Sequence, residues 1–379
     1  MLFGIFAPVK PMYLSRLSLL SFRNYAEANL SFCEGINCFA GLNGSGKTNL
    51  LDAIHYLTLC KSFLTPADTQ NIRHADPFFV IQGEFVMDDG AAENLYCAVK
   101  RAQKKVFKRN QKEYERLSDH IGLIPLVVVA PADTVLVTGH SEERRRFMDS
   151  VIAQYDRRYL DALIAYNRVL AQRNALLKQA AGGMPDAGTL EVLNFQLENY
   201  GTPIHEARKA FTENLLPLFH DYYAQLSGGA EQVELVYDSK LNDTPFATLL
   251  EQSLSKDRAV EHTSTGIHKD DLSFSVSGFP LKRSGSQGQQ KTFLIALKLA
   301  QYAFLRNASG KKPLLLLDDI HDKLDDERLN RLAEMVSSNL FGQIFVTDTS
   351  GTRMQELFAK RNTPFQLFSV IQGQTEPTE

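Results

Sequence analysis

Apolar and polar residues alternate through 13–21 and again through 26–32, a period of two that predicts a pair of β-strands turning at the corner Phe22-Arg23-Asn24-Tyr25. A largely apolar run at 36–40 predicts a strand leading on from this pair. Strand-like patterning resumes at 78–87, 95–101 and 104–108, the last two forming a hairpin that turns near Ala102 and Gln103. Another apolar strand, 126–130, stops at Pro131. From Ser141 the period lengthens. Phe147, Val151, Tyr155, Leu160, Leu163, Ile164 and Leu170 recur at helical spacing within 142–181, until Gly182-Gly183-Met184-Pro185 breaks the pattern. A second helical stretch, 187–226, contains Pro203 and Pro217, which are expected to divide or kink it. Together the two stretches predict a short antiparallel helical arm, each limb on the order of 60 Å if straight at ~1.5 Å per residue.

After the arm the periods alternate. Strands are expected at 232–237, 272–276, 314–317, 343–347 and 365–371, and helices at 244–255, 291–305, 327–340 and 353–360. This is the pattern of an α/β fold whose C-terminal strands complete a sheet begun near the N-terminus. The polar tail from Gln372 onward is expected to be disordered, and Met12 is a candidate for the true initiator.

Composition narrows the classes. With 379 residues, 44% of them hydrophobic, the chain can bury the cores of about two domains. A net charge of −3 supplies no global field for a polyanion, so any nucleic-acid contact must come from a local patch. Cys33, Cys38, Cys60 and Cys97 form no C-x-x-C pair, which argues against zinc or a disulfide framework and suits a reducing cytoplasm. The opening apolar stretch 2–9 is short and lacks a basic leader, so no secretory signal is expected. No run approaches a membrane span, and no membrane partner is expected.

The chemistry begins at Gly41-Leu42-Asn43-Gly44-Ser45-Gly46-Lys47-Thr48, which fits G-x-x-x-x-G-K-[ST] between the apolar run 36–40 and the helix-like 49–59. Glycines let successive N–H groups turn inward on a triphosphate, Lys47 adds a point charge, and the Thr48 hydroxyl is placed to ligate Mg²⁺. ATP and Mg²⁺ are the expected ligands. Downstream, four leucines at 314–317 run into Asp318 and Asp319. Asp318 is expected to hold the metal, and Asp319 to face the attacking water as the catalytic base. A second polar, glycine-bearing segment, 284–290, opens a helix, where the Ser286 hydroxyl and free N–H groups make another phosphate cradle. One γ-phosphate does not need two cradles from one chain, so the two half-sites imply a dimer.

Ser286, Gly288 and Gln289 resemble the Ser, second Gly and Gln of the L-S-G-G-Q signature of ABC ATPases, while Gly285 and Gln287 depart from it. The long insertion between phosphate loop and signature resembles the SMC layout. More closely, the chain resembles the RecF family of DNA-repair ATPases over nearly all of 12–371. The likeness is carried by the F-R-N-Y corner, by Gly44 through Ile54, and by Pro131, Gly139, Arg144, Arg145, Phe147 and Asp149. It extends to Gly266-Ile267-His268-Lys269-Asp270-Asp271, and to Asp322-Lys323-Leu324-Asp325 as a D-loop. The resemblance implies an ABC-type P-loop ATPase head with a helical second lobe. It divides the chain into lobe I (12–140 and 309–372), a helical arm or lobe II (141–262), a signature segment (263–308), and tails (1–11 and 373–379).

It further implies a protein that binds ATP at 41–48 and at Ser286, Gly288 and Gln289 of a second copy, with Asp133 at a nucleotide-sensing loop near the metal. Arg23 is the candidate to stack on adenine. The implied role is to help RecR and RecO place RecA on gapped single-stranded DNA. Asp319 is one methylene shorter than the Glu usual in ABC enzymes, and Asp348 stands where many have a switch histidine, so turnover is expected to be slow. For DNA, the densest basic stretch is Lys100, Arg101, Lys104, Lys105, Lys108, Arg109 and Lys112. Alternation puts Lys104 and Lys108 on one face and Lys105 and Arg109 on the other. Arg144, Arg145, Arg146, Arg157 and Arg158 are the alternative, unless they pair with Glu142, Glu143 or Asp161. Two other readings compete: an SMC-like scaffold with incidental hydrolysis, and the energising subunit of a transporter.

Overall fold

A computed structural model describes residues 11–229, 231–320, 325–338, 340–359 and 364–378. The D-loop candidate, apart from Asp325, lies outside the described residues. The chain forms two compact units: Met1–Asp133 with Gln225–Gly228 and Ile295–Glu379, and Thr134–Ala224 with Gly229–Leu294.

Two six-stranded sheets build the first unit. One is antiparallel, in the order β2-β1-β4-β5-β6-β7, from β1 (Tyr13–Phe22), β2 (Tyr25–Ser31), β4 (Phe78–Val86), β5 (Ala92–Lys100), β6 (Val106–Arg109) and β7 (Lys112–Glu113). The other runs β15-β14-β3-β13-β12-β8, with β3 (Ile36–Ala40), β8 (Leu126–Val129), β12 (Leu314–Leu317), β13 (Ile344–Asp348), β14 (Phe365–Ile371) and β15 (Gln374–Thr378). Its inner strands are parallel. Every residue of β3, β12 and β13 is buried, which explains why these strands are mostly apolar and show no alternation: a parallel sheet covered on both faces has no polar side. The antiparallel strands instead alternate, burying Leu17, Leu19, Phe79, Ile81, Leu95 and Cys97. These side chains share one core with Leu50, Ile54 and Leu57 of helix α1 (Lys47–Leu59) and with Phe39, Phe345 and Phe368 of the parallel sheet.

In the second unit α2 (Val135–Thr138) and α3 (Ser141–Ile152) precede two long helices, α4 (Arg157–Gln179) and α5 (Ala187–Ser227). A three-stranded sheet of β9 (Val233–Asp238), β10 (Asp271–Val276) and β11 (Phe279–Pro280), with α6 (Phe246–Val260) and α7 (Leu281–Ser284), completes it. Helix α8 (Gln287–Ser309) runs across the boundary at Leu294, and α9 (Asp326–Val336) and α10 (Gly351–Ala359) belong to the first unit.

Three expectations fail here for local reasons. The stretch 142–181 is two helices, because Asp156 caps α4 by accepting from the Tyr159 N–H at 3.0 Å. Pro203 and Pro217 do not divide α5. It continues for 41 residues, its buried stripe of Leu197, Ile204, Arg208, Phe211, Leu215 and Phe219 outweighing the loss of two backbone donors. The C-terminal tail is not disordered over 374–378: β15 pairs antiparallel with β14. Gln372 (φ 48°) and Gly373 (φ 79°) make the two-residue left-handed turn a hairpin needs.

Ion pairs are buried alongside the apolar core of the second unit. Arg208 reaches Asp149 at 2.8 Å and Asp270 at 3.2 Å, and Tyr237 donates to Asp270 at 2.5 Å. Arg144 holds Asp271 at 2.7 Å. Arg173 and Asp257, both fully buried, meet at 2.7 Å. The Gly-Ile-His-Lys-Asp-Asp segment thus closes a polar core, and its His268 takes part: Nε2–H donates to the Thr263 carbonyl, and Nδ1 accepts from Tyr166.

Burial pushes the imidazoles of His55, His120 and His268 down to about 4. Each ring is neutral in the folded protein. Between about pH 6.5 and 4 the unfolded chain takes up protons that the folded chain does not, so stability falls as pH drops through that window. From pH 7 to pH 5 the loss should be roughly 2 kcal/mol per histidine, read as a lower urea midpoint. An unchanged midpoint at pH 5 would mean these rings titrate freely.

Candidate nucleotide site

The sequence from β3 into α1 forms a tight loop in which two glycines leave no room for a side chain. A Cβ on Gly41 would lie 2.2 Å from the Val370 carbonyl oxygen, and Gly46, at φ 118°, would strike Asn24 and Tyr25. Lys47 is buried and donates to the carbonyls of Gly41 (2.8 Å) and Leu42 (3.1 Å). The Ser45 hydroxyl is buried beside the loop's first glycine and has no hydrogen-bond partner. An orphaned hydroxyl inside a ring of inward-turned backbone is what an oxyanion ligand would satisfy, so the residues fit a triphosphate.

The loop's outer side is braced by residues distant in sequence. Asn24 donates to the Ser45 carbonyl (2.9 Å) and accepts from Asn49 (2.7 Å), Tyr25 donates to the Gly46 carbonyl (3.0 Å), and the Gly373 N–H donates to Ser45 (3.0 Å). Of the Phe-Arg-Asn-Tyr corner, Asn24 and Tyr25 are thus the residues hydrogen-bonded to the loop. Arg23 itself, the candidate for the adenine, pairs with the buried Asp52 at 3.0 Å and donates to Ser62 at 3.2 Å.

At the end of β12 the Asp318 carboxylate accepts from Thr48 at 3.0 Å and from Thr347 at 2.8 Å. A hydroxyl and a carboxylate, both hard oxygen donors, fit Mg²⁺. Asp319 adopts a left-handed backbone (φ 45°) and its N–H donates to Thr347 at 2.9 Å, so one threonine fixes both acids. Asp348 accepts from Arg353 (3.1 Å) and from the Ser350 N–H (2.8 Å), while its carbonyl receives the Gly41 N–H. It therefore anchors the loop's first residue. Asp133, expected near the metal, pairs with Lys298 through one oxygen at 2.8 Å and accepts from the Ala130 N–H through the other at 2.7 Å.

In the second unit Ser286 and Gln289 cap α8 reciprocally. The Ser286 N–H donates to Gln289 Oε1 at 2.7 Å, and Ser286 Oγ accepts from the Gln289 N–H at 3.1 Å. Gln289 in turn donates to Glu231 at 2.7 Å, a residue the sequence reading missed because it lies 58 positions away. Gly285 has no room for a side chain, since a Cβ would meet Leu281 at 2.6 Å. Gly288 holds Thr292 through its carbonyl. Ser286 is exposed, and because Oγ acts as acceptor in the cap its proton remains available to an incoming anion.

The RecF/RecN/SMC N terminal domain model matches residues 13–376. The DNA replication and repair protein RecF of Flavobacterium johnsoniae is 49% identical over 360 residues, covering 95% of this chain and 100% of that protein. Its Parabacteroides distasonis counterpart is 48% identical, covering 97% and 100%. The chain belongs to the RecF family. A solved structure of the recombination mediator protein RecF-ATP in the RecFOR pathway shares 27% identity and a TM-score of 0.89, covering 99% of this chain and 100% of that one. The Smc head domain of Pyrococcus furiosus, at 17% identity and TM-score 0.59, shares the fold alone. The expected ATPase-head architecture with a helical second lobe is therefore that of the RecF family.

The basic residues of this RecF-family chain separate once placed. Strand β6 begins at Val106, so Lys104 and Lys105 sit in the turn before it. Lys105 is held by Asp68 (2.9 Å), Tyr56 and the Cys60 carbonyl, and Arg109 pairs with Glu93. Neither has an uncommitted charge. Lys104 is exposed, and Lys108 lies 5.7 Å from the Tyr96 ring centroid. Among the alternatives, Arg144, Arg146 and Arg157 pair with Asp271, Glu142 and Asp161. Among the described residues no helix is long and apolar enough to cross a membrane.

Proposed function

We propose that this RecF-family chain is an ATP-switched DNA-binding protein of recombinational repair and replication, working as a dimer that assembles on nucleotide. The observation that carries the reading is Ser45, a buried hydroxyl left without a partner inside a braced phosphate loop. Lys47, Thr48 and the loop's N–H groups hold the triphosphate of one copy, and Ser286 with the first turn of α8 from the other copy completes the cradle. Mg²⁺, held by Thr48 and Asp318, would neutralise charge on the phosphates. Asp319 orients the attacking water. Its short side chain and left-handed backbone support a slow hydrolysis that resets the dimer instead of driving a motor.

Lys104 and Lys108, with Lys100, Arg101 and Lys112, are the cations through which DNA is engaged. Likeness to a recombination mediator of the RecFOR pathway makes RecR and RecO the expected partners in loading RecA at gaps or junctions. Family membership sets the transporter reading aside. Sedimentation mass with and without ATP, in the presence of junction DNA, tests the proposal: mass should double with ATP. A monomer at saturating ATP, with or without DNA, would remove the dimer from the mechanism.

A further inference from the structure

The outer face of the antiparallel sheet carries a concavity of about 850 Å³ that the nucleotide site does not use. Strand register lines up its floor. Asn29 lies opposite Ser18, Ser18 opposite Gln82, Gln82 opposite Tyr96, and Tyr96 opposite Lys108, a single row across five strands. At ~4.8 Å between strands this row is roughly 19 Å long. A parallel row places Arg16 opposite Glu84 and Glu84 opposite Asn94. The acid there is neutralised in part by Arg16, 3.9 Å away. The β5–β6 rim supplies Lys100, Lys104 and Lys108, which form no ion pair among the described residues.

The chemistry of this floor selects an occupant. Amides and hydroxyls in a row, one aromatic ring and a cationic rim are poor for an apolar helix, which would leave them unpaired. A duplex offers a surface mainly phosphates, and would reach the rim while ignoring the floor. Unstacked bases use both: they stack on an aromatic side chain of a sheet, present polar edges to neighbouring amides, and bring phosphates to the nearby cation. Lys108, beside the Tyr96 ring, is placed for that last contact.

We infer that this sheet face is a binding platform for single-stranded DNA, with Tyr96 as the stacking residue, Gln82 and Asn29 as contacts to base edges, and Lys108 as the phosphate contact. The inference rests on the DNA-binding reading above and assigns the single strand of a gap or junction to a surface separate from the ATP site.

Fluorescence anisotropy of the full chain with ATP, using a labelled oligothymidylate and a blunt duplex of equal length, tests it. Tyr96→Leu should weaken the oligothymidylate by about tenfold or more while leaving the duplex within about twofold, and Tyr96→Phe should retain both. Lys108→Gln should reduce the salt slope for the single strand by about 0.7. Gln82→Ala, at an exposed position where folding is not at stake, should also weaken the single strand selectively. Unchanged single-strand affinity in Tyr96→Leu and Gln82→Ala, or equal loss on both DNAs, overturns the platform. Wild-type binding to duplex alone overturns this inference and leaves the DNA-binding reading standing, whereas binding to neither DNA removes both.

Discussion

Lys47→Ala should lower ATP affinity by a factor on the order of 10² to 10⁴, the loss of two charge-assisted hydrogen bonds to phosphate, while the unliganded protein remains folded. The Lys47 side chain is only 4% exposed and its ammonium is satisfied by two loop carbonyls. Those carbonyls keep the charge in position until phosphate oxygens replace them. Removing the amine therefore leaves two acceptors that face the phosphate space and repel an anion. Lys47→Arg retains the charge but not the binding, because a planar guanidinium cannot fit the slot that a single nitrogen fills beneath Gly41 and Leu42. Calorimetric titration with ATP reads both variants. Binding by Lys47→Ala within tenfold of wild type would place the triphosphate somewhere other than this loop.

What the sequence discloses about this site is whatever lies contiguous in the chain. The glycine loop, its lysine and threonine, and the leucine run ending in Asp318 and Asp319 are each local patterns, and each stands where the pattern puts it. What braces them is not contiguous. Asn24 reaches the loop across 21 residues, Thr347 reaches Asp318 across 29, and Gly373 arrives from the far end of the chain. No periodicity encodes such contacts. The same holds for the acids that meet the basic residues: Asp68 reaches Lys105, Glu93 reaches Arg109 and Asp52 reaches Arg23, each from another element.

Local propensity also gave way where packing was stronger. Two prolines failed to break α5 because its apolar stripe continues through them, and a polar tail became β15 because a two-residue turn could fold it onto β14. By contrast, Arg146 and Arg157 did pair with acids of their own helices, Glu142 and Asp161 within one helical turn, where spacing alone is informative.

Ser286→Arg should abolish the ATP-dependent gain in mass, raising the dimer dissociation constant more than about a hundredfold, while ATP affinity of the isolated copy stays within about twofold. Ser286 is exposed at the start of α8, in a loop with no slack: Gly285 is hemmed in by Leu281, and Gln289 is tied to Glu231. Losing the cap costs about 1 kcal/mol, which a buried helix of this length withstands. The larger effect is steric, since the arginine fills the space above the first turn where another copy's phosphate would sit. Ser286→Ala separates bulk from chemistry. It adds no bulk and removes the hydroxyl, both the cap acceptor for the Gln289 N–H and the proton offered to phosphate, and should weaken assembly by roughly tenfold. Sedimentation and nucleotide titration on the same samples distinguish the outcomes. Parallel loss of ATP binding and assembly would put Ser286 in its own copy's nucleotide site, and the reason for a second copy in the mechanism would go with it.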